Sequence, residues 1–154
     1  MAGNSVTQST SGLNWMRGTV FPTVTNPFYI ALLHTYVSGD DTGASDVESV
    51  YTNYARQSVA STTAGWAAPS PGTGTVQTTS NAALLTFPTA GATGDTGLNG
   101  FAVCVHSTPG GGAVTVSGEE VKRGAITGAP KTINGGSPGD PVTVAIGSLI
   151  LSDD

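Results

Sequence analysis

Glycine and proline interrupt this chain so often that long regular elements have little room to form. Stretches such as "SGDDTG" (38–43), "TAGATGDTGLNG" (89–100), "STPGGG" (107–112) and "NGGSPGDP" (134–141) cut it into short pieces. Glycine supplies backbone angles closed to other residues, and proline fixes its own φ and donates no hydrogen bond, so both favour turns. The intervening pieces are rich in Val, Ile, Thr, Phe and Tyr, which suit strands. Glycine, serine and threonine number 22, 15 and 23 of the 154 residues, a composition that fits short β-branched strands joined by tight turns.

Seven or eight strands follow from this pattern. "FYIALLHTYV" (28–37) is apolar at successive positions, as expected of a strand covered on both faces, whereas a half-exposed strand alternates. "VYTNYARQSVA" (50–60) does alternate and is expected as the second strand. "STTAGWAAPSPGTGTVQTTSN" (61–81) is expected as a long connection, and "AALLTFP" (82–88) and "FAVCVHS" (101–107) as strands. Further strands are expected at "AVTVSG" (113–118), 124–133 and "VTVAIGSLILS" (142–152). The fold class is therefore all-β, an antiparallel β-sandwich of jelly-roll type, with no βαβ pattern for a parallel sheet. One short N-terminal helix is expected over Leu13–Arg17, between Ser11 as its cap and Gly18 as its stop. Residues 1–12 form a polar arm, and 13–154 a single β-sandwich domain by length.

Ten carboxylates against five Lys and Arg give a net charge of −5. Binding to phosphates requires clustered cations, so no nucleic-acid partner is expected. Charged residues make up only 10% and apolar ones 38%, which argues against a disordered chain. No apolar run approaches the roughly 20 residues of a membrane span. "MAGNSVTQSTSG" has neither the basic segment nor the apolar core of a signal peptide, so standard secretion is not expected. The single cysteine, Cys104, excludes an internal disulfide and any multi-cysteine metal cluster.

Catalytic constellations are not evident. His34 and His106 lie among apolar neighbours, without a GxSxG nucleophile turn or an HExxH zinc motif, and are expected as hydrogen-bonded structural residues. Cys104 has no flanking cation to activate it and is expected as a buried small hydrophobe. Asp40, Asp41, Asp46 and Glu48 could supply oxygen ligands to calcium, although their spacing is not that of an EF-hand; a solvated loop is the plainer expectation. No cofactor and no enzymatic activity are expected. Trp15, Met16, Phe21 and Trp66 are candidates for an interface with another subunit or for packing at a sandwich end. Arg56, placed in the second strand, is expected to pair with Asp46 or Glu48, because a planar guanidinium favours two-pronged pairing with a carboxylate.

The order of segments resembles a family of small virion proteins of tailed bacteriophages, labelled tail-fibre-like or head-decoration proteins. The likeness runs through "LNWMRGT", "FPTVTNP", "FYIALLHT", "SGDDTG", "NYARQSV", "LTFPTAGATG", "GAPKTINGG" and "VTVAIGSLIL", about 130 residues in all, with departures at 61–81 and in "SGEEVKRGAITG". The resemblance implies a structural virion protein made in the host cytoplasm, with no catalytic residues. A capsid decoration (cement) protein is the expectation drawn from it, a homo-oligomer such as a trimer that binds the major capsid protein on the outer surface of the head. The alternative is a tail fibre or baseplate protein that meets the host surface.

Overall fold

The computed structural model describes residues 27–38, 45–68, 70–71, 77–104, 106–107 and 120–152. The arm at 1–12, the helix expected over Leu13–Arg17 and the strand expected at 113–118 lie outside these residues. Within them the chain is all-β, with twelve short strands and no helix. In chain order these are β1 (Phe28–Thr35), β2 (Val47–Glu48), β3 (Gln57–Val59), β4 (Ser70–Pro71), β5 (Gln77–Ser80) and β6 (Leu85–Phe87). They continue with β7 (Asp95–Leu98), β8 (Gly100–Cys104), β9 (Glu120–Ala125), β10 (Lys131–Ile133), β11 (Val142–Val144) and β12 (Ile150–Ser152). Every pairing among them is antiparallel, and the sheets are open, not closed barrels.

The residues fall into two compact units, one holding 27–59 and 84–144, the other 60–83 and the segment from Ala145 onward. In the larger unit a five-stranded sheet runs β2-β1-β8-β9, with β3 also paired to β1. β1 and β8 pair from Tyr29↔Cys104 to Leu33↔Gly100. Phe28, Ile30 and Leu32 are buried on one face of β1, and Ala31 and Leu33 on the other, where Ala102 and Cys104 join them. That double burial explains the unbroken apolar run, because neither face needs polar residues for water. Each large side chain so buried contributes about 1.5–3 kcal/mol. Two smaller sheets, β7-β10 and β6-β11, complete the unit.

β2 and β3 lie along the edge of β1 opposite β8, β2 beside Leu33 and Thr35 and β3 beside Phe28 to Ile30. Residues 49–56 loop out between them, so the strand expected over 50–60 begins only at Gln57. Its apparent alternation misleads because Asn53 takes a φ of 76°, a left-handed conformation that ends an extended run. Other expectations are corrected in the same way. The connection at 61–81 contains β4 and β5, the loop at 89–100 contains β7, and 142–152 is two strands parted by a turn at Gly147, whose φ is +76°.

The smaller unit has a three-stranded sheet, β12-β5-β4, in which Leu151 faces Thr79 and Ile150 faces Ser80. Trp66 forms a bridge to Asn81 and is 1% exposed. Asn81 is wholly buried and fixes the turn before β12: its Nδ2 donates to Ala83 O (2.8 Å) and Ala145 O (2.9 Å), and its Oδ1 accepts from Leu149 N (2.9 Å).

Candidate functional site

Among the described residues of the larger unit, three clusters of ionisable side chains are each built on a carboxylate that the fold removes from water. The first centres on Glu48, at the end of β2. Arg56, the last residue of the excursion between β2 and β3, turns inward. Its Nε donates to Glu48 Oε1 and its Nη2 to Oε2, both at 2.8 Å. Arg56 Nη1 donates to His106 O at 2.9 Å, which ties the excursion to the chain just beyond β8. Tyr54 OH donates to Glu48 Oε1 (2.7 Å) and accepts from Leu32 N (2.9 Å). Burial pushes the Tyr54 phenol well above its ordinary pKa, and the Glu48 charge adds to that. Burial pulls the Arg56 guanidinium down, but the hydrogen bonds and charge of Glu48 outweigh it and hold the group above its usual value. Near neutral pH Tyr54 therefore keeps its proton and Arg56 its charge.

The second cluster pairs Asp46 with Arg123 of β9. Asp46 is wholly buried, its Oδ2 accepts from Arg123 Nη1, and its Oδ1 accepts from Val37 N at 2.9 Å. Arg123 also lies over the Tyr36 ring, 5.3 Å from its centroid, a cation–π arrangement. Of the two carboxylates named for Arg56, Glu48 takes it and Asp46 takes Arg123. Both are thereby engaged within the chain and buried, which corrects the solvated-loop expectation for these two residues. Asp40 and Asp41 lie outside the described residues. Among the described residues no group of three or more His, Cys, Asp or Glu could hold a metal ion.

The third cluster brings together a serine, an aspartate and a histidine. Asp95 at the start of β7 accepts at Oδ2 from Ser49 Oγ (2.6 Å) and at Oδ1 from Gly97 N (2.9 Å), with His34 Nδ1 also 2.8 Å from Oδ1. Burial alone would raise the Asp95 pKa; the bonds from Ser49, Gly97 and His34 outweigh it and lower it below the usual carboxylate value. The order of groups is not that of a hydrolytic triad, in which the imidazole stands between nucleophile and acid. Here the carboxylate stands in the middle and the serine hydroxyl, wholly buried, donates to it. The imidazole is 48% exposed and lies on Gly97, where a Cβ would come within 2.4 Å of its Cε1.

The remaining expected site residues are placed separately. Cys104 is buried, whereas His106 is exposed beyond the end of β8. Trp66, named for an interface or for packing at a sandwich end, is buried within its own chain at 1% exposure. Trp15, Met16 and Phe21 lie outside the described residues. Sequence reasoning missed Asp95, Ser49, Tyr54 and Asn81. A local signal existed for Asp95 alone, since an aspartate set among glycines, as in "GDTG", can accept from the amide two residues on, as Asp95 does from Gly97 N.

Compared with known proteins, residues 3–152 match the family model described as podophage GP4 fiber I protein gp80. No curated protein matches the chain.

Proposed function

We infer, since this chain belongs to the family of the podophage GP4 fiber I protein gp80, that it serves as a fibre component of a phage virion. The carrying observation is the match itself, which spans residues 3–152 and so nearly the whole chain. Family membership makes the protein a phage structural protein; the assignment to a fibre, where the sequence led to capsid decoration, is the further step and is supported by the family's description.

The clusters support a mechanical role in place of a chemical one. Glu48 and Asp46 hold arginines from other segments, and Asp95 holds Ser49 and His34, so each buried carboxylate fastens strands and loops. The protein then acts by presenting a fixed surface, with no bond-making step of its own. A two-layered sandwich for the larger unit belongs to the same reading, supported by β1 being buried on both faces. So does assembly with copies of itself and with other virion proteins, for which Val50 and Leu84, 74% and 56% exposed, offer apolar surface.

Purified particles test the reading. A fibre protein is present at a copy number far below that of the major capsid protein and is labelled by antibody at the tail or neck. A decoration protein reaches a copy number comparable with the major capsid protein, and labelling spread over the head overturns the fibre assignment.

A further inference from the structure

The dipeptide Asn-Gly occurs twice in this chain, at Asn99–Gly100 and Asn134–Gly135, and the fold treats the two pairs differently. In such a pair the glycine nitrogen can attack the asparagine carboxamide, because no side chain on the glycine obstructs the approach. We propose that Asn134 is a site of self-modification, cyclising onto Gly135 and opening to aspartate or isoaspartate, with Asp140 as the brake on its rate. The proposal does not rest on the fibre reading.

The reaction consumes only water. Gly135 N gives up its proton and bonds to Asn134 Cγ, while the Cγ–Nδ2 bond breaks and the nitrogen leaves as ammonia, carrying that proton. Water then opens the succinimide ring. Opening at the newly formed bond leaves aspartate; opening at the original peptide bond leaves isoaspartate, in which the main chain runs through Cγ.

Backbone surroundings separate the two pairs. Asn99 lies between β7 and β8, where its N donates to Leu33 O (3.0 Å) and its O accepts from Ile126 N (2.9 Å). Gly100 pairs with Leu33 of β1 on one side and Ala125 of β9 on the other. A backbone held in ladders on both sides must break them before it can bend into a five-membered ring. Asn134, by contrast, follows β10 and is exposed, and Gly135 N donates no hydrogen bond among the described residues. Packing also imposes glycine at 135, since a Cβ there would lie 2.6 Å from Ala92 O and 2.7 Å from Gly94 N. The residue that makes the pair reactive is thus one the fold requires.

Asp140 holds the reacting carboxamide. Its Oδ2 accepts from Asn134 Nδ2 (2.8 Å) and from Asn134 N (3.0 Å), and Asn134 O accepts from Asp140 N (3.0 Å). Ring closure turns the carboxamide carbon towards Gly135 N, which takes Nδ2 off a charge-assisted hydrogen bond. The bonds from Asn134 also hold the Asp140 carboxyl below the usual carboxylate value, so it stays a charged acceptor at the neutral and alkaline pH that favours loss of the amide proton. The product has no Nδ2 and sets a second carboxylate against Asp140, so the turn loses this fastening. The loss reaches the neighbouring turn through Ala90 N, which donates to Asp140 O (3.3 Å), and Gly136 N, which donates to Gly91 O (2.6 Å).

The test incubates the full-length protein at mildly alkaline pH and follows both pairs over time by peptide mass spectrometry with isoaspartate detection. In the folded protein, conversion at Asn134 should run about tenfold or more ahead of conversion at Asn99. In the urea-unfolded chain the two rates should be similar. Asp140→Ala should raise the rate at Asn134 about tenfold, as expected for loss of a hydrogen bond to a charged group. Asp140→Asn keeps the shape of the side chain without its charge and should raise the rate by less; it decides the matter if Asp140→Ala does not fold. No conversion at Asn134, or equal rates at the two pairs in the folded protein, overturns the proposal. A difference that persists in urea belongs to the local sequence and overturns it too. So does a rate at Asn134 that is unchanged in the folded variants, since Asp140 is then no brake.

Discussion

Arg56 and Glu48 meet edge to edge in two parallel 2.8 Å hydrogen bonds, with side chains 0% and 1% exposed. The pair closes the excursion between β2 and β3 onto the sheet and leaves both charges out of water. Removing one partner strands the other. Arg56→Met should therefore destabilise the protein by about 3–5 kcal/mol, whereas replacing both with apolar residues of similar volume should recover much of the loss. Chemical denaturation of the two single variants and the double variant measures this. A single variant as stable as the wild type would show that the pair does not hold the excursion in place.

Asp95 gives the protein an acid-sensitive fastening. Its carboxyl has a lower pKa in the folded chain than the ordinary value of 3.8. Its contribution is therefore complete above that value and is lost as pH falls through the lower folded value. Wild-type melting temperature should decline on acidification below about pH 4. Asp95→Asn should be less stable near neutrality and show a shallower acid decline. Parallel slopes for the two proteins would remove Asp95 from the account.

Gly97 is needed for the close approach of an imidazole. A Cβ there would lie 2.4 Å from His34 Cε1 and 2.8 Å from Nδ1. Gly97→Ala should displace the ring from Asp95 and cost about 1–3 kcal/mol of stability, as overpacking does. His34→Ala in the same background should restore part of it, because the clash disappears. If the double variant is no better than Gly97→Ala, the cost lies in the backbone instead.

Asn81 is the corresponding fastening of the smaller unit. Asn81→Ala removes the side-chain partner of Ala83 O, Ala145 O and Leu149 N; the Leu149 amide is buried, and leaving it unsatisfied costs about 1–3 kcal/mol. The Leu149 amide should lose protection against hydrogen exchange in this variant. Its retention of wild-type protection would mean that another group fixes the turn.

Some of the fold was legible because it depends on neighbours in sequence. The stretch Phe28–Thr35 could be read as a strand covered on both sides, since that demand falls on consecutive side chains. The excursion at 49–56 could not, because "VYTNYARQSVA" alternates well enough for a strand and only Asn53 turns it aside. Short strands such as β4 and β7 were missed because two to four residues carry too weak a periodic signal to outweigh the glycines around them.

The sequence by itself determined an all-β chain of short strands, poor in charge and without the patterns of a nucleic-acid binder. Those properties follow from composition and local spacing, which act wherever the chain goes. Tertiary structure alone decided which carboxylate met which cation. Asp46 reaches Arg123 across 77 residues and His34 reaches Asp95 across 61, whereas local spacing offered Asp46 and Glu48 to Arg56 alike. Such pairings are set by the register of strands that meet only after folding, and no window of neighbouring residues contains that information.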